Sequence, residues 1–138
     1  MLYLSIMESE AFDKLVAEAL DSLPEEFQYL ISNVEVVVQE WPSGQQLASV
    51  GLRSPTSLLG LYEGIPRTRR GINYGFVAPD KITIFQRPIE RICATDEEVR
   101  QQVQDTIIHE IGHHFGIGEP RMAQLEAERN RKRRSGRK

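Results

Sequence analysis

Cysteine is almost absent from this chain of 138 residues. Cys93 stands alone, and one cysteine cannot form a disulfide within the chain. The composition therefore excludes a small secreted fold that depends on disulfide bridges. We expect Cys93 to be a small core residue, which is the usual role of a single unpaired thiol.

Long apolar runs are also missing. No stretch of the sequence approaches the roughly 18 apolar residues that a membrane span needs. The first residues lack the basic start and the long apolar segment of a signal peptide, and acidic residues follow at once. We therefore expect a cytoplasmic protein without membrane contact, and the length favours one folded domain.

Acidic side chains are missing from the last ten residues. Residues 129–138 hold 7 of the 17 Lys and Arg side chains, which leaves 10 basic against 20 acidic side chains in the rest of the chain. This tail has no aromatic residues between its charges, so we expect a disordered, solvated extension rather than a nucleic-acid site. The folded domain is expected at residues 8–128.

The hydrophobic pattern of that domain switches between helical and strand periods. The helical period predicts helices over about 10–21 and over 97–115. Pro24 ends the first helix or starts a short second one, and Pro120 suits the first turn of a last helix over about 120–130. Alternating β-branched residues predict strands at about 34–40 and 81–86, and the short apolar and aromatic segments 58–62 and 74–78 could form two more. Residues 42–57 are rich in Ser, Gly, Gln and Pro and are expected to form a loop. The order is α+β, with a mixed or antiparallel sheet of three or four strands.

The helix over 97–115 carries the most informative motif. Its predicted core face is made of Val99, Val103, Ile107, Ile108, Ile111 and Phe115. His109 and His113 lie four residues apart and away from that face, so both imidazoles can bind one metal ion. Glu110 follows His109 and can reach a water on that metal. This is the H-E-x-x-H pattern of zinc proteases.

The residues after His113 extend the pattern to a third ligand. Two imidazoles leave a tetrahedral zinc ion one protein ligand short. Gly116 can end the helix with a sharp turn, because glycine readily takes a positive φ. That turn could return Glu119 to the metal. We predict His109, His113 and Glu119 as zinc ligands and Glu110 as the general base that later returns its proton as an acid. The alternative is that H-E-x-x-H occurs by chance on an exposed helix face.

The complete string H-E-x-x-H-x-x-G-x-x-[acid] resembles the metzincin proteases. Together with residues 58–66 and Ile82-Thr83-Ile84-Phe85, it resembles more closely the bacterial minimal-zincin, metallopeptidase-like family of about this length. The resemblance implies a small twisted sheet packed on the motif helix and one or two further helices. It also implies a zinc-dependent metallopeptidase domain over 8–128. The chain departs from metzincins at Met122, which lies too close to Glu119 for a Met-turn.

Several further residues are open to two interpretations. Tyr62 and Tyr74 are candidates for stabilising the oxyanion, although a structural role is the more common one for a half-buried tyrosine. His114 is expected to make second-shell or surface hydrogen bonds. In zincins a sheet edge binds substrate by strand addition, and here either 74–78 or 81–86 could supply that edge.

The sequence is therefore consistent with two functions. The first is a zinc metallopeptidase that cleaves peptides or unfolded protein segments. The alternative is a zincin-fold protein without proteolytic activity that binds a metal or a partner. The sequence does not indicate an oligomeric state.

Overall fold

A computed structural model describes residues 8–64 and 79–117, and beyond them residues 120, 123–124, 127–128 and 130–131. The described residues after 117 are helical, as expected for 120–130. The helices are α1 (Ser9–Asp21), α2 (Glu25–Ile31), α3 (Gly44–Ser49), α4 (Gln86–Arg91) and α5 (Asp96–His114). The strands are β1 (Val34–Gln39), β2 (Gly60–Glu63) and β3 (Asp80–Phe85).

The three strands form one mixed sheet in the order β1-β3-β2. β1 runs parallel to β3, with Val36 paired to Ile82, and β2 runs antiparallel to β3, with Tyr62 also paired to Ile82. The predicted α+β class and the size of the sheet are confirmed. β3 is the central strand, so the hypothesis that 81–86 is a substrate-binding edge is wrong. The other candidate edge, 74–78, lies outside the described residues.

The main core lies between one face of the sheet and the helices. Ile82 and Ile84 of β3 face it, with Val34, Val36 and Val38 of β1 beside them. Alternation along a strand sends every second side chain to the same face, which explains the predicted pattern of β1. The helical side of this core consists of Phe12, Leu15, Val16 and Ala19 of α1, Phe27 of α2, Ile89 of α4, and Val99, Val103, Ile107, Ile108 and Ile111 of α5.

The opposite face of the sheet has a smaller apolar cluster, made of Leu47, Leu58, Leu61 and Phe85. Leu47 belongs to α3, which lies in the segment that we expected to be a loop. The start of α3 is a capping box: Ser43 accepts a hydrogen bond from the Gln46 N–H, and the Gln46 side chain accepts one from the Ser43 N–H. These reciprocal bonds satisfy backbone donors that would otherwise be unpaired, and so stabilise a short helix in a polar sequence.

Candidate metal centre

Helix α5 is the element that carries the predicted site. Its first turn is capped by Thr95, whose hydroxyl accepts a hydrogen bond from the Glu98 N–H at 3.1 Å. The predicted core positions from Val99 to Ile111 are buried, and the helix is thereby fixed against α1 and the sheet. Phe115 is the exception, because it is 46% exposed and caps the helix end instead of extending the core face.

The C-terminal end of α5 has the geometry of a Schellman motif. Gly116 has a φ of +68°, a conformation that side chains with a Cβ rarely adopt. The Ile117 N–H bonds to the Gly112 carbonyl at 2.9 Å, and the Gly116 N–H bonds to the His113 carbonyl at 3.4 Å. The helix therefore stops and turns at Gly116, as the sequence predicted. Glu119, three residues further on, lies outside the described residues.

His109 and His113 are both exposed on the side of α5 that does not face the core. Their ring centroids are 6.4 Å apart, and the ring planes are tilted by 44°. Two neighbouring imidazoles with access to solvent fit two of the ligands that zinc takes in proteins. Among the described residues, no group of three His, Cys, Asp or Glu side chains is arranged to hold a metal ion.

Glu110 is partly buried between α5 and strand β2. Its Oε1 accepts a hydrogen bond of 2.9 Å from the backbone N–H of Tyr62. No pattern in the sequence predicts this contact, because it joins residues 48 positions apart. The bond ties the predicted general base to the sheet.

Tyr62 is held by its side chain as well as by its backbone. Its hydroxyl donates to Asp80 Oδ2 at 2.7 Å, and its ring stacks on His114 with centroids 3.9 Å apart. His114 Nε2 lies 3.7 Å from the same Asp80 oxygen, which is too long for a hydrogen bond. The Tyr62 hydroxyl is thus engaged by Asp80, and His114 packs on the Tyr62 ring. Tyr74, the other oxyanion candidate, lies outside the described residues.

A cavity of about 390 Å³ adjoins the motif. One wall is α5, through Thr106, His109 and Glu110, and the other is the chain that enters β2, through Leu59 and Gly60. Gln102, Asp105, Ser57 and Leu58 complete the lining. The cavity gives a ligand access to one predicted metal ligand and to the predicted base at the same time.

Cys93 lies apart from this site. It is 5% exposed and packs in the main core, as expected. Burial, with a smaller contribution from Glu98, raises the pKa of the Cys93 thiol to about 11. Because the thiolate is the reactive form, this cysteine is neither a ready nucleophile nor a metal ligand near neutral pH.

A small mixed sheet packed on a helix that carries H-E-x-x-H is the architecture of a zincin-like α+β protein. The model of the family described as zincin-like metallopeptidase matches residues 31–129, well over half of the chain. The chain belongs to the zincin-like metallopeptidase family. Zinc binding and a peptidase-like fold are features of that family.

A solved structure of a conserved hypothetical protein from the bacterium T. thermophilus is 22% identical, with a TM-score of 0.49, and the match covers 79% of this chain and 94% of that one. No curated protein matches the chain. None of the described helices has the length and hydrophobicity that a membrane span requires.

Proposed function

We propose that this protein is a zinc-dependent metallopeptidase that hydrolyses peptide bonds in peptides or unfolded protein segments. The observation that carries the proposal is the position of Glu110 beside His109 in the wall of one cavity, with His113 one helical turn further along the same exposed side of α5. Family membership supports the same class of reaction.

In this proposal His109, His113 and Glu119 hold the zinc ion. Bound zinc would polarise the scissile carbonyl and lower the pKa of a water to about 7. Glu110 takes a proton from the attacking water and delivers it to the leaving amine. Packing of α5 against the core fixes the backbone positions of His109 and His113, so both imidazoles project from one rigid helix.

The cavity beside the motif supports a peptide as the substrate. Its lining mixes apolar groups, such as Leu58 and Leu59, with polar groups, such as Gln102 and Thr106. Such a surface can take a side chain of the substrate while the outer edge of β2 takes its backbone. β2 is an edge strand among the described strands, and edge strands accept extended peptides by strand addition.

Metal analysis and peptidase assays together test the proposal. We expect about one zinc per chain, and we expect His109→Ala, His113→Ala and Glu119→Ala each to lower zinc affinity by more than about 100-fold, since even outer-shell partners are worth 10–100-fold. His114→Ala is the matched control and should keep full zinc affinity, because His114 packs on Tyr62. Glu110→Gln should keep zinc and lose hydrolysis of a broad peptide library.

Two results would contradict the proposal. Absence of zinc from carefully prepared wild-type protein would exclude the metal site. Full zinc occupancy with wild type and Glu110→Gln equally inactive would favour the alternative, a zincin-fold protein that binds a metal or a partner without proteolysis.

A further inference from the structure

The contact between Glu110 and Tyr62 uses a backbone group on the side of β2 that faces away from β3, and β2 is an edge strand among the described strands. In the β2–β3 ladder the Phe85 N–H bonds to the Leu59 carbonyl at 2.9 Å. Alternation then directs the backbone groups of residues 59, 61 and 63 towards β3, and those of residues 60 and 62 away from it. The Tyr62 N–H therefore points outwards, and Glu110 Oε1 occupies it at 2.9 Å.

An extended peptide that adds to this edge needs the same N–H. Strand addition pairs the outward N–H and carbonyl groups of the edge strand with those of the incoming chain. A single N–H forms only one strong, well-aligned hydrogen bond. At the register of Tyr62, the carboxylate of Glu110 and a substrate carbonyl are therefore competitors.

Tyr62 is held in place by several contacts, so it cannot easily move away from Glu110 to make its N–H available to a peptide. Its hydroxyl is bonded to Asp80, its ring is stacked on His114, and its strand is paired with β3. Glu110 extends from α5 on a side chain with three rotatable bonds and is only partly buried. The carboxylate is consequently the partner that can leave.

We propose that in the free protein Glu110 blocks the edge of β2 through its hydrogen bond with the Tyr62 N–H, a contact that we call the latch. An extended peptide displaces Glu110 by bonding to the same N–H. Displacement frees both oxygens of Glu110 next to the bound peptide. The inference rests on the proposed function, because the peptide is the substrate and Glu110 is its general base. Beyond the proposed function, the inference states that Glu110 is released only when a peptide backbone pairs with Tyr62. Ligands that place only a side chain or a small amide in the cavity leave the bond between Glu110 and the Tyr62 N–H intact.

Amide hydrogen exchange tests the latch without substrate or activity. We expect the Tyr62 amide of the zinc-free protein to be protected, and Glu110→Ala to speed its exchange at least about tenfold, because a charge-assisted bond is lost. Glu110→Gln retains a neutral acceptor and should give intermediate protection. Glu97→Ala removes a carboxylate from the same helix, where it pairs with Arg100, and should leave Tyr62 unchanged. Equal exchange in wild type and Glu110→Ala would overturn the latch.

Peptide binding tests the displacement. The probe is a set of capped, uncharged, fluorescent hexapeptides of high β-propensity, added with a chelator so that no hydrolysis occurs. We expect Glu110→Ala to bind the best of these peptides about tenfold more tightly than wild type, Glu110→Gln to lie between them, and Glu97→Ala to match wild type. Bound peptide should restore protection of the Tyr62 amide in Glu110→Ala.

The outcomes separate the two proposals. Equal peptide affinity of wild type and Glu110→Ala overturns the displacement and leaves the peptidase proposal standing. The expected affinity gain, together with zinc-loaded wild type that hydrolyses nothing, supports the latch and refutes the peptidase. Failure of every variant to bind any of the peptides overturns displacement by strand addition.

Discussion

Gly60 is the residue of strand β2 that packs against Thr106 of the motif helix. A Cβ at this position would lie 2.5 Å from Thr106 Cγ2 and 3.3 Å from the Thr83 carbonyl oxygen. Gly60→Ala would therefore push β2 and α5 apart. We expect it to lower the free energy of unfolding by about 1–3 kcal/mol, as overpacked sites do, measured by urea denaturation.

A second glycine and the side chain that Gly60 approaches supply the controls for this experiment. Gly44 has open space where its Cβ would be, so Gly44→Ala in helix α3 should be neutral or slightly stabilising. Thr106→Ser removes Cγ2 but keeps the hydroxyl that donates to the Gln102 carbonyl. If the steric explanation is right, Gly60→Ala costs less stability in the Thr106→Ser background. An equal cost in both backgrounds would contradict it.

Single residues of the site differ in how well the sequence predicts them. His109 and His113 share a helix face because helical geometry places positions i and i+4 together, and this is a local rule. Gly116 ends the helix for an equally local reason. The bond from Tyr62 to Glu110 depends on the packing of a strand against a helix 48 positions away, and no local pattern encodes such a pairing.

Helix α5 has an N-terminal cap whose loss should lower stability without changing zinc affinity. Thr95 accepts from the Glu98 N–H, and the Glu98 side chain accepts from the Ala94 N–H at 2.8 Å. Thr95→Ala removes the first of these bonds, and we expect a loss of about 1 kcal/mol in unfolding free energy, measured by thermal or urea denaturation. His109 lies about 21 Å along the helix from the cap, at 1.5 Å per residue, so zinc affinity should stay unchanged.

Thr95→Ser is the matched control, because serine keeps the capping oxygen and should restore most of the stability. A drop in zinc affinity for Thr95→Ala, with the protein still folded at the assay temperature, would contradict the view that the buried part of α5 isolates the site from its N-terminal turn.

The elements were predictable where local pattern and packing agree. The predicted helix α5 and strand β1 are both present in the structure, because the apolar period of each one places its apolar residues against the main core. Helix α3 was missed because its composition is polar and Gly-containing, although Ser43 and Gln46 have the spacing of a capping box. The central position of β3 follows from pairing with β1 and β2, which lies beyond any single segment.

At the scale of the whole molecule, the predicted ligands His109 and His113 lie outside the main core. The buried side chains of α1, α2, β3 and α5 form one cluster that excludes His109 and His113, both of which are exposed. This contrasts with zinc fingers, in which a small core leaves the metal to supply the folding energy. Zinc binding to a preformed fold should still add stability by mass action.

We therefore expect the zinc-free protein to remain folded and cooperative, with a lower melting temperature than the zinc-loaded form. Free zinc at about 100 times its Kd adds about 2.7 kcal/mol, which for a domain of this size corresponds to roughly 8–12 °C. Differential scanning calorimetry and circular dichroism with and without a chelator measure the two effects. His109→Ala should melt at the same temperature in both conditions, because it binds zinc too weakly to respond. The helices α1 and α5 pack directly against each other, and this packing does not involve the metal. Loss of helical circular dichroism on chelation at 25 °C would therefore contradict the prediction that the core forms without the metal.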